Sequence, residues 1–488
     1  MRLTEVIEDL PITCSSGENP TVSGITHDSR RVGAGDLFAA LVGQRYDGRM
    51  FVPEAMERGA VGVLASDLPT PGFDKPWLVT ENPRSVLGPL AARIYRHPDQ
   101  ELVTVGVTGT NGKTTVSLLL ADFLEVAGFP TGSLGTLGYR FDDRNFGGDR
   151  TTPEATDFFH LLRQMLDQGA MAVCAEISSH ALAQDRVEGG SFDLAVFTNL
   201  TRDHFDYHHD FETYFDIKRR LFAQLKPEGR AVVNIDDPYG RRLADEIPGA
   251  ITFGQAGDVR VIEAELDLEG IRCRLMTPRG ELDLVSPLLG DYNLNNLVAA
   301  VAAAEVLELP HPAVKKGAAA RQALPGRMEM VDCGQAFPVV IDYAHTDAAL
   351  AAALGSLKSF TGRKVILVFG CGGDRDPGKR ALMGRVAGEL ADLSIITSDN
   401  PRSEDPLAII AEVEKGLQQS GDPNYRILPD RREAIRRAVA QAGPEWAVLI
   451  AGKGHEEVQI IGDEQLPFSD LEEVERALEG HVGAGKSG

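Results

Sequence analysis

Short apolar runs, each followed by a glycine-rich or polar turn, recur along the chain and predict an α/β fold with mostly parallel sheets. In the clearest case, an apolar run from Leu102 to Val107 precedes a glycine-rich turn, and a long apolar helix pattern follows from Val116 to Leu124. Buried strands that alternate with helices are typical of parallel sheets covered on both faces. Further strands are predicted at Ile25–Asp28, Leu37–Val42, Ala60–Ala65, Met171–Ala175, Leu194–Phe197, Val339–Ile341, Val365–Phe369, Leu393–Thr397 and Trp446–Ala451.

The chain has 488 residues, enough for about three domains. We expect a small N-terminal α/β domain over residues 1–98, a central domain with a mostly parallel sheet over residues 99–332, and a C-terminal Rossmann-like domain over residues 333–488. The glycine-rich end from Gly480 onward is expected to be disordered. In open parallel sheets, ligands bind at the carboxyl ends of the strands, so the polar residues that follow each strand are the candidate site residues.

The turn after Val107 predicts a nucleotide triphosphate site, which would make the central domain a P-loop ATPase. Its sequence is Gly109-Thr110-Asn111-Gly112-Lys113-Thr114-Thr115, shorter than the P-loop consensus because Val107, not glycine, lies five residues before Gly112. Backbone N–H groups at the helix start would face the phosphates, Lys113 would supply a cation, and the Thr114 hydroxyl would suit Mg²⁺. An ordinary glycine-rich turn is the alternative, and the flanking strand and helix patterns favour the nucleotide site.

Charge and cysteine content exclude several classes of function. The formal net charge is −23 and the isoelectric point is about 4.9, which argues against nucleic acids or a lipid surface as partners. The five cysteines have no CxxC spacing, so reduced thiols are expected rather than disulfides or a zinc site. No apolar run reaches the length of a membrane span and no signal-peptide pattern is seen, so we expect a cytoplasmic enzyme without membrane insertion.

Two polar residues that follow predicted strands are candidate Mg²⁺ partners. Glu176 comes directly after the strand at Met171–Ala175, and His204 lies in the polar loop after the next predicted strand. Both would lie beside the triphosphate site, although Mg²⁺ prefers oxygen ligands, so that His204 alone is a weak candidate. His208 and His209 are interpreted as the solvated, polar start of a helix.

Taken in chain order, several motifs resemble those of the Mur ligases, the ATP-dependent amino-acid ligases of peptidoglycan synthesis. The sequence has HDSR at 27–30 and GDLF at 35–38, the phosphate loop in the middle, and DNPR at 399–402. By the residues alone, the segment around Ser29 would be only a turn. The resemblance covers essentially the whole chain, and it implies a uridine-nucleotide domain, an ATP-binding domain and an amino-acid-binding domain.

The resemblance assigns residues to three substrate sites and a catalytic centre. It implies that the UDP-N-acetylmuramoyl-dipeptide contacts His27, Ser29, Gln44, Tyr46, Thr151, Thr152, Ser178, Gln184 and Arg186. It implies that ATP contacts the phosphate loop together with Asn293, Asn296, Arg327, Asp342, Tyr343 and His345. Diaminopimelate would contact Arg375, Asp399, Asn400, Pro401, Arg402, Gly452 and Glu456. The implied catalytic residues are Lys113, Glu176, His204 and Lys218, and the implied Mg²⁺ ligands are Thr114, Glu176, His204 and Lys218.

At two positions the family pattern changes or weakens what the residues alone predict. Lys218 reads as a surface lysine by itself, but in the Mur ligases a lysine in this setting is carbamylated, which replaces a cation with a carboxylate-like group able to bind metal. Asp347-Ala348 stand where the family commonly has Pro-Asp, which weakens any claim for a carboxylate at the second of these positions.

DNPR is the most informative motif after the phosphate loop. The guanidinium of Arg402 is a rigid fork that matches a carboxylate, and Arg375 offers a second cation. Asp399, Asn400 and Glu456 supply acceptors for ammonium groups. An amino acid with a carboxylate at its far end would fit this set, and lysine would be repelled. Within the Mur ligases, DNPR marks the members that add meso-diaminopimelate.

The resemblance implies a two-step ligation of three small molecules by a monomer. The D-glutamate side-chain carboxylate of UDP-MurNAc-L-Ala-D-Glu attacks the γ-phosphate of ATP, and the amino group of meso-diaminopimelate then attacks the acyl phosphate. Three alternatives remain open: a D-alanyl-D-alanine-adding ligase, against which DNPR argues; a folylpolyglutamate synthase, which lacks the uridine-type N-terminal domain; and a non-catalytic P-loop regulator.

Replacing Lys113 tests whether the phosphate loop carries the reaction. We expect Lys113→Ala to abolish ATP-dependent turnover and to leave the fold intact, because the cation that neutralises the transferred phosphoryl group is lost. Phosphate release and circular dichroism measure the two properties, and near-normal turnover would refute the role.

Overall fold

The computed structural model describes residues 1–15, 17–43, 46–148, 150–321, 323–421 and 423–485, with side chains up to residue 480. Over these residues the chain forms three successive α/β regions, each built around its own main sheet. None of the helices in them is both long enough and apolar enough to cross a membrane.

The N-terminal region has a largely parallel sheet whose described strands lie in the order β1-β5-β4-β3-β2, with only β1 antiparallel to its neighbour. Its strands are β1 Thr13–Cys14, β2 Gly24–Thr26, β3 Asp36–Ala39, β4 Gly62–Ala65 and β5 Trp77–Val79. Its helices are α1 Leu3–Ile7, α2 Val52–Glu57, α3 Pro83–Ile94 and α4 Pro98–Glu101, with 3₁₀ turns at Ser29–Arg31 and Gly48–Phe51.

The central region carries the largest described sheet, in the order β13-β12-β11-β6-β10-β7-β8-β9, parallel from β13 to β7. Its strands are β6 Val103–Thr108, β7 Thr131–Gly135, β8 Gly138–Phe141, β9 Arg144–Asn145, β10 Ala172–Glu176, β11 Phe192–Phe197, β12 Leu225–Asn234 and β13 Ile251–Phe253. The helices beside it are α5 Lys113–Val126, α6 Ala155–Asp167, α7 Ser179–Ala183, α8 Phe205–His208, α9 Phe211–Arg219 and α10 Pro238–Glu246, with a 3₁₀ turn at Arg220–Gln224.

A second, antiparallel sheet in this region packs with two helices behind the phosphate loop. It comprises β14 Arg260–Asp267, β15 Gly270–Thr277 and β16 Gly280–Ser286, and α11 Asp291–Val306 and α12 His311–Ala320 follow. The alanines from Ala299 to Ala304 in α11 are buried against α5 and the sheet core, since methyl side chains allow close helix packing. This packing fixes α5, and with it the phosphate loop, against the sheet.

The C-terminal region has a sheet in the order β17-β18-β22-β19-β20-β21, parallel except for β17. Its strands are β17 Glu329–Val331, β18 Val339–Asp342, β19 Lys364–Phe369, β20 Leu393–Ile396, β21 Tyr425–Ile427 and β22 Trp446–Ala451, and a separate hairpin consists of β23 Val458–Ile461 and β24 Glu464–Pro467. Its helices are α13 Asp347–Thr361, α14 Gly378–Leu390, α15 Pro406–Gln418, α16 Arg431–Gln441 and α17 Asp470–Gly485.

A buried ion pair holds the carboxyl end of β22. Arg431 at the start of α16 pairs with Asp470 at the start of α17 at 2.7 Å, and both side chains are fully buried. Arg431 also donates a hydrogen bond to the carbonyl of Ala451 at 3.1 Å. Because Ala451 is the last residue of β22, this contact fixes the point at which the loop beginning with Gly452 leaves the sheet.

These sheets confirm the predicted α/β architecture with mostly parallel strands, and each predicted strand is present, although some ends differ. The strand expected at Leu37–Val42 ends at Ala39, because the chain turns there and Val42 forms an isolated bridge with Asp47. The prediction of a disordered tail is wrong from Gly480 to Gly485, which continue helix α17, and its last part, residues 486–488, lies outside the described residues. The three domain bounds stay a prediction.

Candidate functional site

The phosphate loop is held tightly between β6 and α5. Gly109 and Gly112 have φ angles of 147° and 88°, in the region that favours glycine. A Cβ at Gly109 would lie 1.9 Å from the Thr198 hydroxyl, and one at Gly112 would lie 2.3 Å from the Asn296 side chain. The ammonium of Lys113 donates to the carbonyls of Gly109 at 3.0 Å and Thr110 at 2.8 Å, so it lies over the loop.

Oxygen ligands suited to Mg²⁺ converge at the start of α5. The Thr114 hydroxyl donates to Oε2 of Glu176 at 2.9 Å, and Oε1 of Glu176 accepts the backbone N–H of Thr136 at 2.8 Å. Both Thr114 and Glu176 line a cavity of about 500 Å³. A hydroxyl and a carboxylate at a helix N-terminus fit an ion that takes its other ligands from phosphate and water. Among the described residues, no group of three or more His, Cys, Asp or Glu could hold a metal ion by itself.

Lys218 is buried beside the same loop, not on the surface. Its side chain is 1% exposed, its Nζ donates to the Gly109 carbonyl at 2.7 Å, and the Tyr214 ring lies 4.5 Å from Nζ. Burial, and secondly the charge of Lys113, lower the pKa of Lys218 well below its usual value. Two lysines therefore donate to one carbonyl, and one of them readily becomes neutral.

Asp203 joins two imidazoles at the carboxyl end of β11. Its Oδ2 lies 3.2 Å from Nε2 of His204 and 3.5 Å from Nε2 of His345. Burial lowers the pKa of His204 to about 3, and the attraction of Asp203 only partly opposes that shift, so the ring is neutral at pH 7. If Nε2 carries the proton towards Asp203, then Nδ1 of His204 keeps a lone pair for a metal ion.

A cavity of about 280 Å³ lies next to the phosphate loop, between α11 and the start of the C-terminal region. The Arg327 guanidinium lies 4.6 Å from the Tyr343 ring centre and 3.5 Å from the Thr114 hydroxyl. Asp342 accepts hydrogen bonds from the Tyr292 hydroxyl and the Met328 N–H. The predicted ATP residues on its wall are Asn111, Gly112, Thr114, Thr115, Asn296, Arg327, Asp342 and Tyr343, joined by Ala348 where the family commonly has a carboxylate.

A second small cavity, of about 190 Å³, collects the loops after β19, β20 and β22. Arg402 has a φ of 52°, uncommon for a residue with a side chain, and its Nη1 donates to the Gly373 carbonyl at 2.7 Å. Asn400 donates to Glu456 at 2.7 Å. The predicted residues on its wall are Arg375, Asp399, Asn400, Arg402, Gly452 and Glu456, and Pro401 is absent from it.

Residues predicted for the acceptor are divided between two further surfaces. Thr151, Ser178 and Arg186 line the 500 Å³ cavity with the phosphate loop. His27 lines a cavity of about 580 Å³ between the N-terminal and central regions, and Tyr46 is 65% exposed. Gln44 lies outside the described residues. Gln184 accepts a hydrogen bond from Arg186 at 2.6 Å and so helps to fix the position of the Arg186 guanidinium.

Three predicted residues are occupied by contacts within the protein. Ser29 is buried and donates to Glu54 at 2.7 Å, and Thr152 is buried and donates to the Glu176 carbonyl at 2.8 Å. Asn293 is fully buried and accepts a hydrogen bond from Asn296 at 3.1 Å. Thr152 and Asn293 thus orient their neighbours, and neither lines the cavities described above.

Sequence reasoning missed several residues at this site. Asp203, His180 and Asn295 line the cavities, and Lys453 lies behind the amino-acid cavity. Asp203 could have been found from its place beside His204 in the same polar loop. His180 and Lys453 also follow strands, after β10 and β22, and Asn295 lies between two predicted residues. Their contacts could not be predicted, because their partners come from distant parts of the chain.

The solvated interpretation of His208 is wrong, whereas His209 is exposed as expected. His208 is 1% exposed, its Nε2 lies 2.9 Å from the Ser179 hydroxyl, and its ring stacks on Tyr214. The short helix α8 turns this side chain inward. Burial, followed by the charges of His180 and Lys218, lowers its pKa to about 4.

Comparison with known proteins gives matches along nearly the whole chain. The sequence models that match are the Mur ligase family catalytic domain over residues 21–95, the Mur ligase middle domain over 107–304 and the Mur ligase glutamate ligase domain over 326–454. The chain is 43% identical to UDP-N-acetylmuramoyl-L-alanyl-D-glutamate--2,6-diaminopimelate ligase of Geobacter metallireducens, covering 94% of both chains. It is 42% identical to the enzyme of the same name from Gloeobacter violaceus, covering 98% of both. A solved structure of that name superposes with a TM-score of 0.66 at 34% identity, covering 94% of this chain and 95% of the other.

The burial of His208 predicts how stability depends on pH. Its pKa of about 4 in the folded protein is below the ordinary value of 6.5, so between these values the unfolded chain binds more protons. The contribution of His208 is therefore complete above pH 6.5 and is lost as pH falls towards 4. We expect His208→Gln to make the fall in Tm between pH 7 and pH 4 shallower.

Thermal unfolding monitored by circular dichroism across this pH range measures the slope. His209→Gln changes the exposed neighbouring imidazole and is the matched control, so its slope should follow the parent protein. Equal slopes for His208→Gln and the parent would contradict the burial argument.

Proposed function

The chain belongs to the Mur ligase family, and from this premise we propose that it is an ATP-dependent ligase that adds meso-diaminopimelate to UDP-N-acetylmuramoyl-L-alanyl-D-glutamate. The amide would form at the side-chain carboxylate of D-glutamate, as a step of peptidoglycan precursor synthesis. One observation carries the proposal: the cavities assigned to phosphate transfer and to the amino acid have six wall residues in common, which are Asp203, His204, Asp206, Tyr343, His345 and Arg375. An amine bound in one cavity would therefore face a carboxylate activated in the other.

Phosphoryl transfer from ATP would take place over the phosphate loop. The 280 Å³ cavity shares Gly112, Thr114 and Arg327 with the 500 Å³ cavity, so a nucleotide in the first can extend its phosphates into the second. Lys113 and Arg327 would reduce the repulsion between the phosphates and the attacking carboxylate. The attack forms the acyl phosphate and releases ADP.

Thr114 and Glu176 are the residues proposed to hold one Mg²⁺, and His204 with carbamylated Lys218 a second. Bound Mg²⁺ would supply additional positive charge at the phosphate oxygens. Two features of Lys218 support carbamylation. Burial lowers the pKa of its amine, so the neutral form, which is the nucleophile towards CO₂, is readily available. Conversion to a carbamate would replace the repulsion between Lys218 and Lys113 with attraction.

Recognition of diaminopimelate would rest on opposite charges in the 190 Å³ cavity. Arg402, with Arg375 beside it, can bind the carboxylate at the far end of the amino acid through a forked pair of hydrogen bonds. Glu456 and Asp399 on the cavity wall offer acceptors for the ammonium groups. The oxygen of Asn400, predicted as a further acceptor, already receives hydrogen bonds from Lys453 and from the Ile460 N–H. The reacting amino group would then attack the acyl carbon, so that the amide forms as phosphate leaves.

Contacts between the central and C-terminal regions would keep water from the acyl phosphate. Arg202 pairs with Asp376 at 3.1 Å, and Asp203 pairs with His345 across the same junction. Excluding water from this junction would favour the amine over hydrolysis. We also infer that the protein acts as a monomer and in the cytoplasm, where ATP is available.

Phosphate release tests the proposed reaction. The protein is incubated with ATP, Mg²⁺ and UDP-MurNAc-L-Ala-D-Glu, and meso-diaminopimelate or L-lysine is added in separate reactions. We expect release only with diaminopimelate. Release mainly with lysine would overturn the role of Arg402, and release with neither would favour one of the other ligases or a regulator.

Arg402→Lys keeps the charge but loses the forked guanidinium, so the KM for diaminopimelate should rise about 10- to 100-fold.

Carbamylation of Lys218 predicts a ¹³C carbamate resonance when the protein is equilibrated with ¹³C-bicarbonate. Lys218→Arg should lack the resonance and lose turnover, because an arginine cannot carry this group. Lys226→Arg is the control, since Lys226 pairs with Asp193 at 2.7 Å, and this variant should keep the resonance. A resonance of equal intensity in Lys218→Arg would contradict the assignment.

A further inference from the structure

Lys453 is a fully buried cation directly behind the amino-acid cavity. Its side chain has no exposed surface, and it does not line the cavity itself. Its ammonium donates three hydrogen bonds: to Oδ1 of Asn400 at 3.1 Å, to Oε2 of Glu456 at 3.0 Å and to the carbonyl of Val458 at 2.7 Å. A lysine ammonium has three N–H donors, so its capacity is completely used.

These contacts fix the orientation of the Asn400 amide. Oδ1 of Asn400 accepts from Lys453 and from the backbone N–H of Ile460 at 2.9 Å, and its Nδ2 donates to Oε2 of Glu456 at 2.7 Å. Turning the amide over would place its NH₂ group against two donors. One orientation is therefore strongly favoured.

The same contacts divide the two oxygens of Glu456 between separate tasks. Oε2 receives both Lys453 and Asn400, whereas Oε1 lies 3.5 Å from the Tyr343 hydroxyl on the cavity wall. Lys453 also pairs with the charge of this carboxylate, whose side chain is 28% exposed. Oε2 is thus used in contacts within the protein, whereas Oε1 lies at the cavity wall.

Arg402 is tied to the same assembly through the β23–β24 hairpin. Its backbone N–H donates to the Ile460 carbonyl at 3.1 Å, and its carbonyl accepts from the Gly462 N–H at 2.7 Å. Lys453 also donates a hydrogen bond to the carbonyl of Val458, the first residue of that hairpin. The ammonium therefore supports the position of the hairpin, and through it the left-handed backbone of Arg402.

We propose that Lys453 is a positioning residue for the amino-acid substrate, acting through Asn400 and Glu456. This inference rests on the proposed function for the identity of the substrate, but not for the contacts themselves. Without the ammonium, Oε2 of Glu456, Oδ1 of Asn400 and the carbonyl of Val458 would lose the donor that joins all three. They would move apart, and the ammonium-binding oxygen of Glu456 would lose its fixed place.

Steady-state kinetics test the effect on the substrate. Lys453→Met keeps the length of the side chain and removes the donors, so the KM for diaminopimelate should rise about tenfold or more while the KM for ATP changes little. In a Glu456→Gln background the same change should add much less than this factor, since the partner is already altered. Multiplicative effects, or equal changes in both KM values, would overturn the proposal.

Lys358→Met is the matched control for the kinetics. Lys358 lies in the same region and pairs with Asp392 at 2.9 Å, away from the cavity, so both KM values should stay near those of the parent. If Lys453→Met does not fold, Lys453→Gln keeps two donors on a shorter side chain and should give a smaller effect in the same direction.

Hydrogen exchange of the ligand-free protein separates this inference from the proposed function. Lys453→Met should speed exchange at Ile460, Arg402 and Gly462, whose amides depend on the assembly, and leave the strands β18 and β19 protected. This result would support the positioning role even if the parent protein released no phosphate with diaminopimelate. Unchanged exchange at these three amides, or faster exchange throughout the C-terminal sheet, would overturn it.

Discussion

The carbonyl oxygen of Gly109 is the point on which the site depends. It accepts hydrogen bonds from Lys113 and from Lys218, so two amines from separate helices meet just beyond the end of the central strand β6. Such crowding of basic groups is stable only because one amine can lose its proton and because Glu176 and Asp203 lie nearby as opposing charges. The positive charge at the phosphate loop is therefore balanced by these carboxylates when no phosphate group is bound.

The remainder of the site follows from the direction of the strands. Parallel strands in the central and C-terminal sheets end at the junction between the two regions, so each sheet contributes its polar loops to a common space. Helix α11 closes that space at one side, with Asn296 beside the phosphate loop and Tyr292 on Asp342. The two sheets therefore define three adjoining cavities.

Local sequence patterns predicted the strands and most residues at their ends. Glu176 and Arg402 were found because each follows a recognisable apolar run or lies in a specific motif. His208 was misjudged because a polar neighbourhood in sequence does not reveal that α8 turns one histidine onto Tyr214 and leaves the next in solvent. Asn293 and Lys453 show the same limit, since each acts on a neighbour whose position is set by packing. The expectation that Lys218 is carbamylated came from the family resemblance, whereas the residue pattern alone predicted a surface lysine.

The left-handed backbone of Arg402 has a consequence for how this loop can change over time. Glycine adopts such a φ without cost, so Arg402→Gly would relax the backbone while it removed the guanidinium that faces the cavity. Selection for thermal stability alone would therefore favour a chain that no longer recognises its amino acid. The arginine at this position therefore meets a requirement of the site and not of the backbone.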